Sequence, residues 1–322
     1  MLAECFPFLK IYLEDDHVTD LNYAGKCLWI DHLYQGRFCL ELDLSDEEVY
    51  HMAQQFSNRV NRHFNLQYPL LETDLECFRI SLIHPSLCGH LSLSIRKSAP
   101  FCRITEKSLL EENGLSKTAL DFLKRVIKNG KNVMISGIPG AGKTEFLKFL
   151  TNYIEETERV ITIEDSYELH YASLHPNRDV VAMKVHPHFD YAQAIKASLR
   201  QRADRILLSE VRGLEVVDLL TAASSGVSVM STIHAMSAYD IPNRIQTLIP
   251  SDREDLRSNV ERLLNVGIHM TMKQTHEGMI RFVREIVYYG HEETHLIYDA
   301  KDKRDARKMP KEVREAIKEY QI

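Results

Sequence analysis

The sequence predicts an α/β protein in which a mostly parallel sheet, flanked by helices, follows a smaller α+β N-terminal domain. Three observations carry that prediction. The pattern changes character near residue 110. From Asn132 onward, continuous apolar runs alternate with helix-period segments, as strands buried on both faces of a parallel sheet do. The first of those runs leads into a glycine loop that opens a helix.

Before residue 110 the β-like runs are Lys26–His32, Arg37–Leu42, Cys77–Ile83 and His90–Ile95, with alternating apolar residues and Gly or Pro punctuation. One helix interrupts them, from Asp46 to about Phe64, with Ser45 as N-cap and Glu48 completing a capping box. Residues 1–102 therefore read as one domain and 103–115 as a linker. Residues 116–298 form the α/β domain, and 299–322 a charged, frayed helical tail. Within the α/β domain Ser116 precedes a helix with apolar residues at Ala119, Leu120, Phe122, Leu123 and Val126. Strands are expected at Val133–Ser136, Val160–Ile163, Val180–Val185, Ile206–Leu208 and Val227–Ile233. Helices are expected at Lys143–Glu156, Tyr191–Gln201 and Glu215–Ala223, and a hairpin at Ile268–Met272 and Ile280–Tyr288.

Composition bounds the function. A formal charge of −6 argues against a binder that relies on a bulk basic surface, so direct nucleic-acid binding is not expected. No run approaches the ~20 apolar residues of a membrane-spanning helix. The start, MLAECFPFLKIYLEDD, has no basic leader, so the expected location is cytoplasmic with peripheral membrane contact at most. The six cysteines, Cys5, Cys27, Cys39, Cys77, Cys88 and Cys102, have no C-x-x-C spacing and read as reduced thiols rather than zinc ligands.

The chemistry begins at Gly137-Ile138-Pro139-Gly140-Ala141-Gly142-Lys143-Thr144, which satisfies G-x-x-x-x-G-K-[ST] between a strand and a helix. Its glycines let the backbone turn its N–H groups inward, and the helix start offers its positive end to phosphate. Lys143 is expected on the β- and γ-phosphates, and the Thr144 hydroxyl on Mg²⁺. Glu145 follows within the same first turn. Ligands of open parallel sheets bind beyond the carboxyl ends of the strands. There Val160–Ile163 runs into Glu164-Asp165 with Glu168 close behind, Ile206–Ser209 runs into Glu210, and Val229–Ile233 runs into His234. Phosphoryl transfer to water needs a carboxylate to orient the nucleophile and a metal to neutralise charge. Glu210 is assigned to the Mg²⁺–water shell and Glu164 to positioning or activating water, with the two roles exchangeable; His234 is a candidate γ-phosphate sensor, its alternative a satisfied core histidine. Arg200, Arg202 and Arg205 flank the Glu210 strand, Arg212 follows it, and Arg79, Arg96 and Arg103 lie in or after the N-terminal domain, all as reserves of positive charge.

These residues resemble the secretion-superfamily ATPases of type II and type IV secretion, type IV pili and conjugation, with the CpaF-like pilus-assembly branch the nearest likeness. The motifs stand in the family's order. They are the Walker A loop Gly137–Thr144, the acidic box Thr162-Ile163-Glu164-Asp165-Ser166-Tyr167-Glu168-Leu169, the Walker B stretch Asp204–Gly213 and the His box Ser231-Thr232-Ile233-His234-Ala235. Ser198-Leu199-Arg200-Gln201-Arg202 is similar to the branch's Leu-Arg-x-Arg run. Phe78-Arg79-Ile80, His84-Pro85 and Ser94-Ile95-Arg96-Lys97 are similar to its N-domain signatures. Ser209, Ala203 and Pro139 depart from the usual Gly, Pro and Thr. The resemblance implies a RecA-like P-loop ATPase domain, ATP and Mg²⁺, and a homo-hexameric ring driving an inner-membrane platform or secretion-channel protein. It also implies phosphate contacts from Arg96 and Arg103. The competing reading is a DNA-translocating, helicase-like P-loop ATPase.

Overall fold

A computed structural model describes residues 1–112, 114–275, 278–301, 304–305 and 310–316. Much of the expected charged tail lies outside the described residues. Within it, Lys311–Ala316 is helical. The chain divides into two compact units, Met1–Ala99 with Gln274–Met279, and Pro100–Lys273 with Ile280–Ile322.

The first unit is built on six antiparallel strands: β1 Val18–Ala24, β2 Cys27–His32, β3 Gly36–Glu41, β4 Leu70–Leu75, β5 Phe78–Ile83 and β6 Ser92–Lys97, in the order β3-β2-β1-β6-β5-β4. Leu21, Tyr23, Leu28, Ile30, Ile80, Leu82, Leu93 and Ile95 alternate along the strands and share one core with Val49, Ala53 and Phe56 of the Asp46–Arg59 helix. The helix begins as the sequence predicts. The Ser45 hydroxyl accepts the Glu48 N–H and the Glu48 carboxylate accepts the Ser45 N–H. It ends at Arg59, short of Phe64, because Asn61 takes a left-handed conformation that a helix cannot carry. Strands β1 and β4 were not expected, and both carry acidic residues that blur their alternation (Asp20, Glu72, Asp74).

The second sheet has nine strands: β7 Val133–Ser136, β8 Val160–Glu164, β9 Val180–Lys184, β10 Arg205–Val211, β11 Ser228–Ile233, β12 Val266–Thr275, β13 Gly278–Tyr289, β14 Thr294–Asp299 and β15 Arg304–Asp305. Their order is β15-β14-β13-β12-β7-β11-β10-β8-β9. From β12 to β9 each pair is parallel; β13–β14 and β14–β15 are antiparallel. The continuous apolar runs now have their cause, since both faces are covered. Val133, Ile135 and Leu207 point into one core with the Lys117–Lys128 and Lys143–Thr151 helices. Met134, Ile206 and Leu208 point into the other, with Ile195, Leu219 and Ile245 of the Tyr191–Arg200, Glu215–Ser224 and Ile241–Leu248 helices. The expected fold class, α/β with a mostly parallel sheet preceded by a smaller unit, is therefore the observed one.

Candidate active site

Four adjacent strands, β8-β10-β11-β7, deliver the site at their carboxyl ends. Strand β7 ends at Ser136 and the next helix starts at Lys143, so residues 137–142 must turn the chain back across the sheet edge. Gly137 lies at φ 150°, and a Cβ there would sit 2.4 Å from the Met270 carbonyl oxygen of β12. Gly142, at φ 88°, is the N-cap. Only glycine fits both demands without strain.

Lys143 is buried, 8% exposed, and its Nζ donates to Gly137 O at 2.9 Å and Ile138 O at 3.3 Å. Burial lowers its pKa, and the nearby Glu210 and Glu168 oppose that shift. The Thr144 hydroxyl donates to Glu168 Oε2 at 3.4 Å. His234, one residue beyond β11, reaches back to the loop, its Nδ1 lying 3.1 Å from Gly137 O and 3.5 Å from Lys143 Nζ. On its other side Nε2 comes within 2.7 Å of Glu210 Oε1, an ion-pair approach that lacks hydrogen-bond geometry. Glu210 Oε2 is held by Arg212, through Nε at 2.9 Å and Nη2 at 2.8 Å. Arg212 Nη1 also reaches Asp165 Oδ2 at 3.0 Å, so one guanidinium links the turn after β8 to β10. Burial opposes the charge on Arg212, but Glu210 and Asp165 outweigh it and its pKa rises.

Glu164 differs from the other carboxylates. It is 1% exposed, and its Oε2 accepts the N–H groups of Glu168 at 2.8 Å and Leu169 at 2.9 Å. Burial raises its pKa to about 7, against the lowering by those two hydrogen bonds. Glu168, not Glu164, faces the Thr144 hydroxyl.

The arginines separate. Arg103 is tied to Glu145, with its N–H 3.1 Å from Oε2 and Nη1 3.6 Å from Oε1. Arg200 and Arg202 close the Tyr191–Arg200 helix just before β10 starts, so the topology sets them at the amino end of the parallel strands, opposite the phosphate loop. Within this chain they are not brought to Lys143. Arg205 is fully buried at that same end, paired with Glu158 at 2.7 Å. Arg96, on β6 of the first unit, pairs with Asp20 at 2.9 Å. One loop contact escaped the sequence. Arg281 of β13 donates from Nε to Gly140 O at 2.8 Å. Burial, then the charge of Arg103, lowers its pKa. Arg281 reaches Gly140 because the sheet order sets β13 and β12 beside β7, which no local motif encodes.

The loop suits a nucleotide's phosphates, because its glycine wrap leaves no room for a Cβ beside Met270 and it buries one lysine Nζ among carbonyls. Thr144 supplies a hydroxyl, and Glu168 and Glu210 supply carboxylates at the same strand ends, the hard-oxygen types that Mg²⁺ takes together with phosphate.

The sequence model of the type II/IV secretion system protein family matches residues 61–317. Among curated relatives, the type IV secretion system protein VirB11 of Brucella suis is 24% identical over 329 residues, covering 87% of this chain and 88% of that protein. A type IV secretion system protein PtlH homolog of Bordetella bronchiseptica is 28% identical, covering 87% of each. Among solved structures, the Legionella pneumophila ATPase DotB superposes with a TM-score of 0.68 at 17% identity, over 88% of this chain and 80% of that one. The pilus retraction motor PilT with bound ADP gives 0.64 at 20%, over 90% and 83%. These two likenesses speak for the fold, and the family match for the kinship. The chain is an ATPase and belongs to the type II/IV secretion system protein family.

Proposed function

We propose that this chain hydrolyses ATP with Mg²⁺, as a homo-hexameric motor at the cytoplasmic face of the membrane, to power secretion, conjugation or pilus-like assembly through an inner-membrane platform or secretion-channel partner. The observation that carries the chemistry is the meeting of Lys143, Thr144, Glu168, Glu210 and His234 at one sheet edge. Lys143 neutralises phosphate charge; Thr144 and Glu210 would hold the metal ion, which would supply charge neutralisation on the phosphate oxygens. Glu168 is the carboxylate best placed to orient water beside Thr144. His234 bridges Glu210 and the loop, a position suited to reporting the γ-phosphate. Arg96 and Arg103 remain the first cations to test for phosphate contact.

Supporting the membrane-peripheral part of the reading, no helix among the described residues is long and apolar enough to cross a membrane. Glu210→Gln tests the hydrolytic role. It is expected to retain ATP binding while slowing hydrolysis about 100-fold or more. An unaltered rate removes Glu210 from the site. Measuring turnover with added single-stranded DNA tests the competing reading, since stimulation there would favour a translocase.

A further inference from the structure

The turn after β8 is bracketed by two glutamates, and their surroundings divide the labour. Glu164 is shut from solvent at 1% exposure, and one of its oxygens is committed to the N–H groups of Glu168 and Leu169 at 2.8 and 2.9 Å. A general base needs access to water and a free lone pair within reach of the proton it takes. Glu168 is half-buried and touches the Thr144 hydroxyl at 3.4 Å.

The geometry points to Glu164 as a positioning residue: its carboxylate clamps the backbone of the 165–169 turn and so presents Glu168 to Thr144. The inference rests on the ATPase reading of the site and deepens it. Charges beneath the phosphate helix support the clamp. Lys148, 1% exposed, donates to Glu145 Oε1 at 2.8 Å, and its positive charge favours ionised Glu164 against the burial that opposes it. Glu145 in turn accepts the Arg103 N–H at 3.1 Å. Lys148 thus sits between a glutamate of the phosphate helix and the glutamate that orders the turn. Side-chain clamps on two adjacent amides fix a turn much as an N-cap fixes a helix start.

Three variants of the full chain separate clamp from base. Glu164→Gln keeps an acceptor oxygen for the two amides, Glu164→Ala removes it, and Glu168→Gln leaves the clamp but removes the carboxylate at Thr144. Amide hydrogen exchange at Glu168 and Leu169, read without added nucleotide, is expected to quicken about tenfold or more in Glu164→Ala and far less in Glu164→Gln. In ATP turnover, Glu164→Ala and Glu168→Gln are expected to lose kcat about 100-fold with KM changed less than about threefold, and Glu164→Gln to recover at least about tenfold of that loss. Unchanged exchange in Glu164→Ala overturns the clamp. So does a Glu164→Gln variant as inactive as Glu168→Gln, which is the mark of a residue acting on water itself. If Glu164→Ala does not fold, the Gln comparison still decides. Should Glu168→Gln turn over like the parent, the ATPase assignment of this turn fails, while the exchange rates judge the clamp separately.

Discussion

At the scale of single residues, the site is a set of charges balanced within a few ångströms. Lys143 rests on loop carbonyls, Arg212 spans Glu210 and Asp165, and Arg281 holds the Gly140 carbonyl. Glu164 is the exception, a carboxyl kept from water with a pKa raised by burial from 4.5 to about 7. The sign of its contribution follows. Between those two values the folded chain holds a proton that the unfolded chain has released, so this group makes stability fall as pH rises through that window. The full effect is on the order of 3 kcal/mol. Glu164→Gln should flatten the decline in unfolding free energy between about pH 5 and about pH 8, measured by urea denaturation. An undiminished slope in that variant assigns the effect to other groups. Arg281→Ala, which frees the Gly140 carbonyl, is expected to weaken nucleotide binding about tenfold by titration calorimetry. Unchanged affinity would make the contact incidental.

Residue-scale features were legible where the signal was local. The Ser45–Glu48 capping box and the glycines of the loop each occupy a few consecutive positions and need no tertiary partner to be recognised. The difference between Glu164 and Glu168 was not legible, because it depends on which carboxylate the turn points inward. Arg200 and Arg202 show a related limit of local reading within one chain. They are near Glu210 in sequence, yet most of β10 separates them from it.

At the scale of elements, the two ends of the parallel strands are specialised. The carboxyl ends of β7, β8, β10 and β11 carry the chemistry. The amino end of β10 is locked by Arg205, whose guanidinium binds Glu158 through two nitrogens at 2.7 and 3.0 Å and the Ile127 carbonyl at 2.9 Å. That anchors the start of the strand to the end of the Lys117–Lys128 helix. Removing one partner of a buried pair strands the other, so Arg205→Ala is expected to cost about 3–5 kcal/mol of stability in chemical denaturation. A loss below about 1 kcal/mol, the worth of an exposed pair, would contradict the reading of Arg205 as a structural lock. Elements with clean apolar periodicity were readable to within a residue or two, Val133–Ser136 among them. β1, β4 and β14 were not, since polar residues among their apolar ones dilute the alternation.

At the scale of the whole molecule, the family match ties an open parallel sheet with a phosphate loop to the secretion machineries in which its relatives are named. The antiparallel sheet has one core of its own, and the nine-stranded sheet has one on each face. The chemistry gathers at the carboxyl ends of the larger sheet's parallel strands, where we propose that ATP is hydrolysed with Lys143 on its phosphates. The most direct measurement is steady-state release of phosphate from Mg-ATP by the purified chain and by Lys143→Ala. Turnover is expected to be measurable and to fall about 100-fold or more in the variant, with the fold intact by circular dichroism. Turnover in Lys143→Ala equal to that of the parent would contradict that role of Lys143.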